Sequence, residues 1–126
     1  MNYILETKDL NKSYTISKNN MNHVLKNVSL KVKKGDFISV MGPSGSGKST
    51  LLYNISGMDR MTSGEVLFNR KKLSSLSEKE LSEIRLKNMG FIFQHIHLLK
   101  NLSIFDNIIL TAYLAKEKSR KSVNRK

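Results

Sequence analysis

Ten residues, Met41–Thr50, read MGPSGSGKST and place Gly42, Gly47, Lys48 and Ser49 at the spacing G-x-x-x-x-G-K-[S/T]. Such a stretch can cradle phosphate. Glycines 42, 45 and 47 reach backbone conformations that side chains forbid, so successive N–H groups from Gly45 through Thr50 can converge on phosphate oxygens. Lys48 supplies a cation that reaches the β and γ phosphates of a nucleotide, and the Ser49 hydroxyl is an oxygen ligand suited to Mg²⁺. The candidate phosphate-binding set is Gly42, Ser44, Gly45, Ser46, Gly47, Lys48, Ser49 and Thr50, with Ser49 also a candidate metal ligand. A flexible Gly/Ser loop with an incidental lysine is the plain alternative.

The loop needs a strand before it and a helix after it, and the pattern predicts both. Val28, Leu30 and Val32 alternate as in a strand that ends at the turn KKGD. DFISVM then reads as a second strand leading into the glycines, and KSTLLYNIS as a helix stopped by Gly57. TSGEVLF predicts a turn and a strand. Ser77 with Glu80 forms a capping box, and Leu76 with Leu81 has the spacing of a hydrophobic staple, so a helix is expected from about Glu78 to Lys87. GFIFQ predicts a short buried strand. Ser103 opens another helix over SIFDNIILTAYLAKEK, with Phe105, Ile108, Ile109 and Ala112 at helical spacing. The order implies an α/β domain with an antiparallel β section attached.

A chain of 126 residues is about one small domain. It has no cysteine, hence no disulfide and no thiolate metal site, which fits a reducing compartment. The N-terminus MNYILETKDL lacks the apolar segment of a secretory signal, and no apolar run approaches the roughly 18 residues that span a bilayer, so a soluble chain is expected. Of the formal charge of +12, the last eleven residues, KEKSRKSVNRK, hold six Lys/Arg against one Glu. A solvated basic tail is the simplest account, with an anionic lipid surface or membrane partner next. Without interleaved aromatics, nucleic acid is disfavoured.

The stretch VLKNVSLKVKKGDFISVMGPSGSGKSTLLYNISGMDRMTSGEVLF, followed by LSEKELSEIRLKNMGFIFQHIHLLKNLSIFDNI, resembles the ATP-binding subunit of ABC transporters. The group serving lipoprotein release, macrolide export and antimicrobial-peptide resistance is the nearest type, from about Leu5 to about Ala115. The resemblance implies a P-loop ABC-type nucleotide-binding domain, ATP and Mg²⁺ as cofactors, a transmembrane permease subunit as partner, a second nucleotide-binding domain in a dimer, and a cytoplasmic place at the inner face of the membrane. It implies that Tyr14, in NKSY, stacks on adenine. It also implies that Gln94, ending GFIFQ, touches Mg²⁺ and the attacking water; its carboxamide offers the metal an oxygen and the γ phosphate a donor. LLKNLSIFDN resembles the stretch that faces the transmembrane partner. On this basis residues 1–126 divide into a β subdomain (about 1–35 and 60–75), a Walker A strand, loop and helix (about 36–58), a helix and glutamine-loop strand (about 77–100), and the start of a helical subdomain with the basic tail (about 101–126). Asp36, Met61 and Thr111 depart from the family pattern, which has glutamate, proline and LP more often at these places.

Hydrolysis in this family also needs a Walker B aspartate, an adjacent glutamate, a switch histidine and the signature LSGGQ. None is found in the 126 residues. LSIFD imitates an apolar strand ending in aspartate, but Asn107 follows it where glutamate is needed, and Ser103 with Asp106 better opens a helix. His95 and His97 lack a third ligand for a metal, and His23 replaces the switch histidine only in name. The expectation is the N-terminal half of an ABC ATPase that by itself hydrolyses no ATP. The alternatives are a non-catalytic binding or regulatory module, and a small P-loop kinase for which Arg60, Arg70 and Arg85 would need an acidic cluster the region lacks.

Overall fold

The computed structural model of the chain describes residues 2–115. It contains a long antiparallel hairpin, β1 (Tyr3–Ser17) and β2 (Asn20–Lys33), then helix α1 (Lys48–Ile55), strands β3 (Ser63–Phe68) and β4 (Lys71–Lys72), and helices α2 (Glu78–Asn88) and α3 (Ile104–Leu114). The strands form one antiparallel sheet in the order β2-β1-β3-β4. Two compact units divide after Leu81, within α2.

In the first unit the core is Leu10, Leu25, Val66, Phe68, Leu73 and Leu81, all nearly closed to solvent. Of the five register shifts in the hairpin, two near its middle shape this core. Thr7 faces Leu30 and Leu10 faces Val28, so β1 has one residue more than β2 at Asp9; between Leu10 and Lys12 the extra residue lies in β2, at Lys26 or Asn27. Asp9 and Asn27 take positive φ (45° and 48°), which short polar side chains tolerate best. Side chains replace the interrupted ladder. The Thr7 hydroxyl donates to the Val28 carbonyl (2.8 Å) and accepts from the Leu30 amide (3.0 Å), and Ser29 Oγ accepts from the Asp9 amide (2.9 Å). The bulge switches the inward face of β1 from the odd-numbered Thr7 to the even-numbered Leu10 and Lys12. Tyr14 falls on the same parity.

Across the sheet, Gly64 of β3 accommodates that bulge. It has φ +94°, and a Cβ there would lie 2.2 Å from the Asp9 carbonyl oxygen and 2.8 Å from the Leu10 Cα. Only a residue without a side chain permits this approach.

The capping box forms: Glu80 accepts from the Ser77 amide (2.8 Å) and hydroxyl (2.7 Å). Those bonds, the backbone one first, hold the Glu80 carboxyl below its ordinary range. The KKGD turn closes as expected, with Asp36 accepting from the Lys33 amide (2.7 Å), a local use for this departure from the family pattern. The helix after the loop ends at Ile55, ahead of Gly57 at φ 69°.

Two expected strands are absent. DFISVM (36–41) and GFIFQ (90–94) carry no strand structure, and Phe37 and Ile92 are fully exposed. A strand exists by its ladder and by what its faces pack on; among the described residues no strand lies beside either segment. Phe91 and Phe93 instead stack on each other (centroids 5.9 Å apart), and His97 meets Phe93 edge-on at 4.9 Å.

In the second unit Ser103 caps α3, accepting from the Asp106 amide (3.1 Å), so LSIFD is the opening of a helix and no Walker B strand. Asn107 pins the preceding loop, accepting from the Leu99 amide and donating to the Leu99, Leu102 and Ser103 carbonyls at 2.9–3.2 Å. The helix extends to Leu114; the expected continuation to Lys118 and the basic tail lie outside the described residues.

Replacing Gly64 by alanine is expected to cost about 2–4 kcal/mol, since the new Cβ meets backbone and forces the Asp9 bulge to shift. A urea unfolding midpoint equal to that of the wild-type chain would show that the bulge yields freely.

Candidate functional site

The candidate site lies in the first unit, at the start of α1. Gly45 and Gly47 have φ of 79° and 92°, and Gly47 is the N-cap residue of α1 with no side-chain cap. The first-turn N–H groups of a helix have no intrahelical acceptor, and with the dipole they make an anion site. The space at Gly47 is confined, because a Cβ would lie 3.0 Å from Val24 Cγ1. Lys48 curls back over the loop, donating to the Gly42 and Pro43 carbonyls at 2.7 Å each, with Ser46 Oγ at 3.4 Å. The ammonium is thereby fixed at the loop itself, while Ser49 is exposed.

Beside the loop lies a cleft of about 500 Å³, lined by His23, Lys26, Val40, Gly45, Ser46 and Lys48 among others. That volume is in the range of small-ligand pockets. Its hairpin wall was missed by the sequence reading: Asn22, His23 and Lys26 belong to no motif and arrive through the β1–β2 register. Asn11 braces this wall, donating to Asn27 Oδ1 (2.9 Å) and accepting from the Asn27 amide (3.0 Å), with His23 Nε2 3.1 Å from the same Asn11 oxygen.

Tyr14 sits near the end of β1 and is 39% exposed. Its hydroxyl donates to Asp59 Oδ2 (2.7 Å). The other carboxylate oxygen accepts from Lys12 Nζ (2.8 Å), which also donates to the Arg60 carbonyl (2.6 Å) and stands 4.7 Å from the Tyr14 ring centroid. The bond to Asp59, then burial, raises the Tyr14 phenol; a hydrogen bond with the Thr50 side chain acts the other way. Burial by itself would raise the Asp59 carboxyl, but the bonds from Lys12 and Tyr14 outweigh it and hold it below its ordinary value.

The remaining candidates are placed differently. Gln94 lies in the second unit, exposed at a bend. Among the described residues no group of three or more His, Asp or Glu is arranged to hold a metal. Arg60 pairs with Glu78 (2.8 Å) and Arg70 donates to Asn2 (3.2 Å), so both have structural partners.

The family model described as ABC transporter matches residues 25–126, a range that includes the phosphate loop. The chain belongs to the ABC transporter family. The bacitracin export ATP-binding protein BceA of Halalkalibacterium halodurans is 42% identical over 113 residues, covering 90% of this chain and 44% of that protein. The lipoprotein-releasing system ATP-binding protein LolD of Buchnera aphidicola subsp. Schizaphis graminum is 40% identical over 121 residues, covering 96% and 52%. Among solved structures, a dimeric post-hydrolysis state of the ATP-binding cassette MJ0796 bound to ADP and Pi matches with a TM-score of 0.87 at 36% identity, covering 96% of this chain and 52% of that one. The chain spans about half the length of these relatives. Its fold is therefore that of the ABC-type α/β cassette with an antiparallel β subdomain, and the kinase alternative is set aside.

The Asp59 carboxyl is held low in the folded chain, so its contribution is present above the ordinary carboxylate pKa of about 4 and is lost as pH falls through the folded value. Asp59→Asn should cost about 1–2 kcal/mol at neutral pH and flatten the acid limb of stability below about pH 4. Denaturant midpoints from pH 7 to 2 check this, and equal acid slopes for the two chains would refute it.

Proposed function

We propose that this chain is the ATP-holding portion of an ABC transporter ATPase whose binding and hydrolysis of Mg-ATP drive a membrane permease. The observation that carries the proposal is the uncapped start of α1 beneath a loop whose Gly45 and Gly47 have positive φ, with the Lys48 ammonium fixed at the loop's own carbonyls. Those features fit a polyphosphate: N–H donors, a helix dipole and a cation converge, and no acidic side chain lies in the loop. Gly42, Ser44, Gly45, Ser46, Gly47, Lys48, Ser49 and Thr50 would hold the phosphates, and Tyr14 would receive the adenine. Ser49 would ligate Mg²⁺, and Gln94, in the second unit, keeps the metal-side role that the family resemblance implies. When bound, the metal offsets phosphate charge.

In this reading Lys48 orients the outer phosphates, the α1 amides carry the inner ones, and Tyr14 fixes the base end. The division of the chain into a β subdomain, a loop and helix unit, a glutamine-loop segment and the start of a helical subdomain follows the same proposal. A transmembrane permease and a second nucleotide-binding domain are the proposed partners, at the cytoplasmic face of the membrane; the names of BceA and LolD as ATP-binding proteins of an export and a releasing system, and the dimeric state of the MJ0796 cassette, support this. No helix among the described residues is long and apolar enough to cross a membrane.

The 126 residues contain no LSGGQ, and beyond Gln94 their acidic residues are Asp106, which accepts from the Ser103 hydroxyl in the first turn of α3, and Glu117. The chain by itself should therefore bind Mg-ATP without turning it over. Lys48→Ala should weaken binding at least about tenfold, as expected for loss of a charge-assisted phosphate contact. Equilibrium dialysis with labelled ATP tests the first point, and affinity unchanged in the variant would overturn the phosphate-loop proposal; sustained phosphate release lost in Lys48→Ala would overturn the expectation of no turnover.

A further inference from the structure

Lys12, Tyr14 and Asp59 form a closed arrangement that phosphate binding does not require. Asp59 follows α1, 45 positions after Tyr14, yet its two carboxylate oxygens are shared between the Tyr14 hydroxyl and the Lys12 ammonium. Lys12 is nearly buried, with 11% of its side chain exposed, and its second bond, to the Arg60 carbonyl, secures it to the chain just past Asp59. The same ammonium lies 4.7 Å from the centroid of the Tyr14 ring. A phenol can turn about two side-chain bonds. Here the ring is held at its hydroxyl by a carboxylate and on one face by a cation, so both rotations are restrained while the residue stays 39% exposed.

We propose that Asp59, itself anchored by Lys12, is a positioning residue that fixes the plane of the Tyr14 ring so that a purine base can stack on it. The inference rests on the reading of Tyr14 as the base platform. Three physical points support it. A flat, pre-oriented ring loses less rotamer freedom when a base lands on it than a mobile one. An ammonium against one face leaves the opposite face for stacking and draws electron density from it, which favours an electron-rich purine. The Asp59 carboxylate also ties the ring to the chain just past α1, so the spacing between base and phosphate positions is set by side chains and is less dependent on hairpin motion. Arg60 is excluded as the anchor, since its guanidinium is committed to Glu78 and the Leu76 carbonyl.

A purely structural ion pair would affect every ligand of the loop alike, whereas a positioning role affects only ligands with a base. The test compares Mg-ATP with Mg-tripolyphosphate, which has phosphates and no base, on the full chain. Tyr14→Ala should weaken ATP about tenfold and leave tripolyphosphate within about twofold. Asp59→Asn and Tyr14→Phe should each weaken ATP about three- to fivefold with tripolyphosphate unchanged, the first by weakening and the second by removing the Tyr14–Asp59 bond, and the double variant should lose less than the product of the two single losses. Tyr14→Phe keeps the ring and its packing, so it reports even if Asp59→Asn folds poorly. The inference is overturned if Tyr14→Phe binds ATP as the wild type does while Tyr14→Ala does not, or if Asp59→Asn weakens both ligands equally. If Tyr14→Ala leaves the ratio of the two ligands unchanged, or the wild type binds no ATP, the base-platform reading fails and this inference fails with it.

Discussion

One inserted residue, at Asp9 in β1, sets which side chains can meet in the first unit. Side chains alternate along a strand, so an unbroken β1 would keep one parity inward throughout, and Thr7 would share its face with Asp9 and Asn11. The bulge moves Leu10, Lys12 and Tyr14 to that side. Leu10 becomes fully buried in the core, Lys12 reaches Asp59 beyond α1, and Tyr14 follows at the exposed end. The close passage of Gly64 across the Asp9 carbonyl secures the arrangement from the neighbouring strand, and Thr7 and Ser29 supply the hydrogen bonds that the ladder loses.

From that constraint the candidate site acquires two halves of different character. The phosphate half is local: glycine torsions, an uncapped helix and a lysine six positions from the carbonyl it grips lie within one run of chain. The aromatic half is assembled from distant parts, with Lys12 and Tyr14 on the hairpin and Asp59 beyond the helix. The shared Asp59 carboxylate joins these parts. Charge-assisted hydrogen bonds suit this role because they fix geometry as well as energy, and Lys12 is sheltered enough that solvent screens the pair only partly.

The two segments expected as strands show where local pattern stops being informative. DFISVM and GFIFQ have the apolar, β-branched and aromatic content of buried strands, but strand structure is a relation between segments, and no described strand lies beside either. Capping signals did better because they are local. Ser77 with Glu80 and Ser103 with Asp106 close their bonds within three residues, and each helix begins where the pattern places it. Asn107 was weighed only as the wrong neighbour for a catalytic aspartate; its four hydrogen bonds show it as the clasp of the loop before α3, a role no spacing rule announces.

By itself the sequence determined the phosphate loop, the helix it opens, the helix caps, the antiparallel β section and, through resemblance, the family, because each depends on residues close together in the chain or on a long ordered set of motifs. Tertiary structure alone decided the parity of β1, the closeness of Gly64 to Asp9, the cleft wall of His23 and Lys26, and the pairing of Tyr14 with Asp59. Those depend on register and on contacts between residues tens of positions apart, and a one-residue slip in a strand exchanges its faces without changing the composition from which a pattern is read.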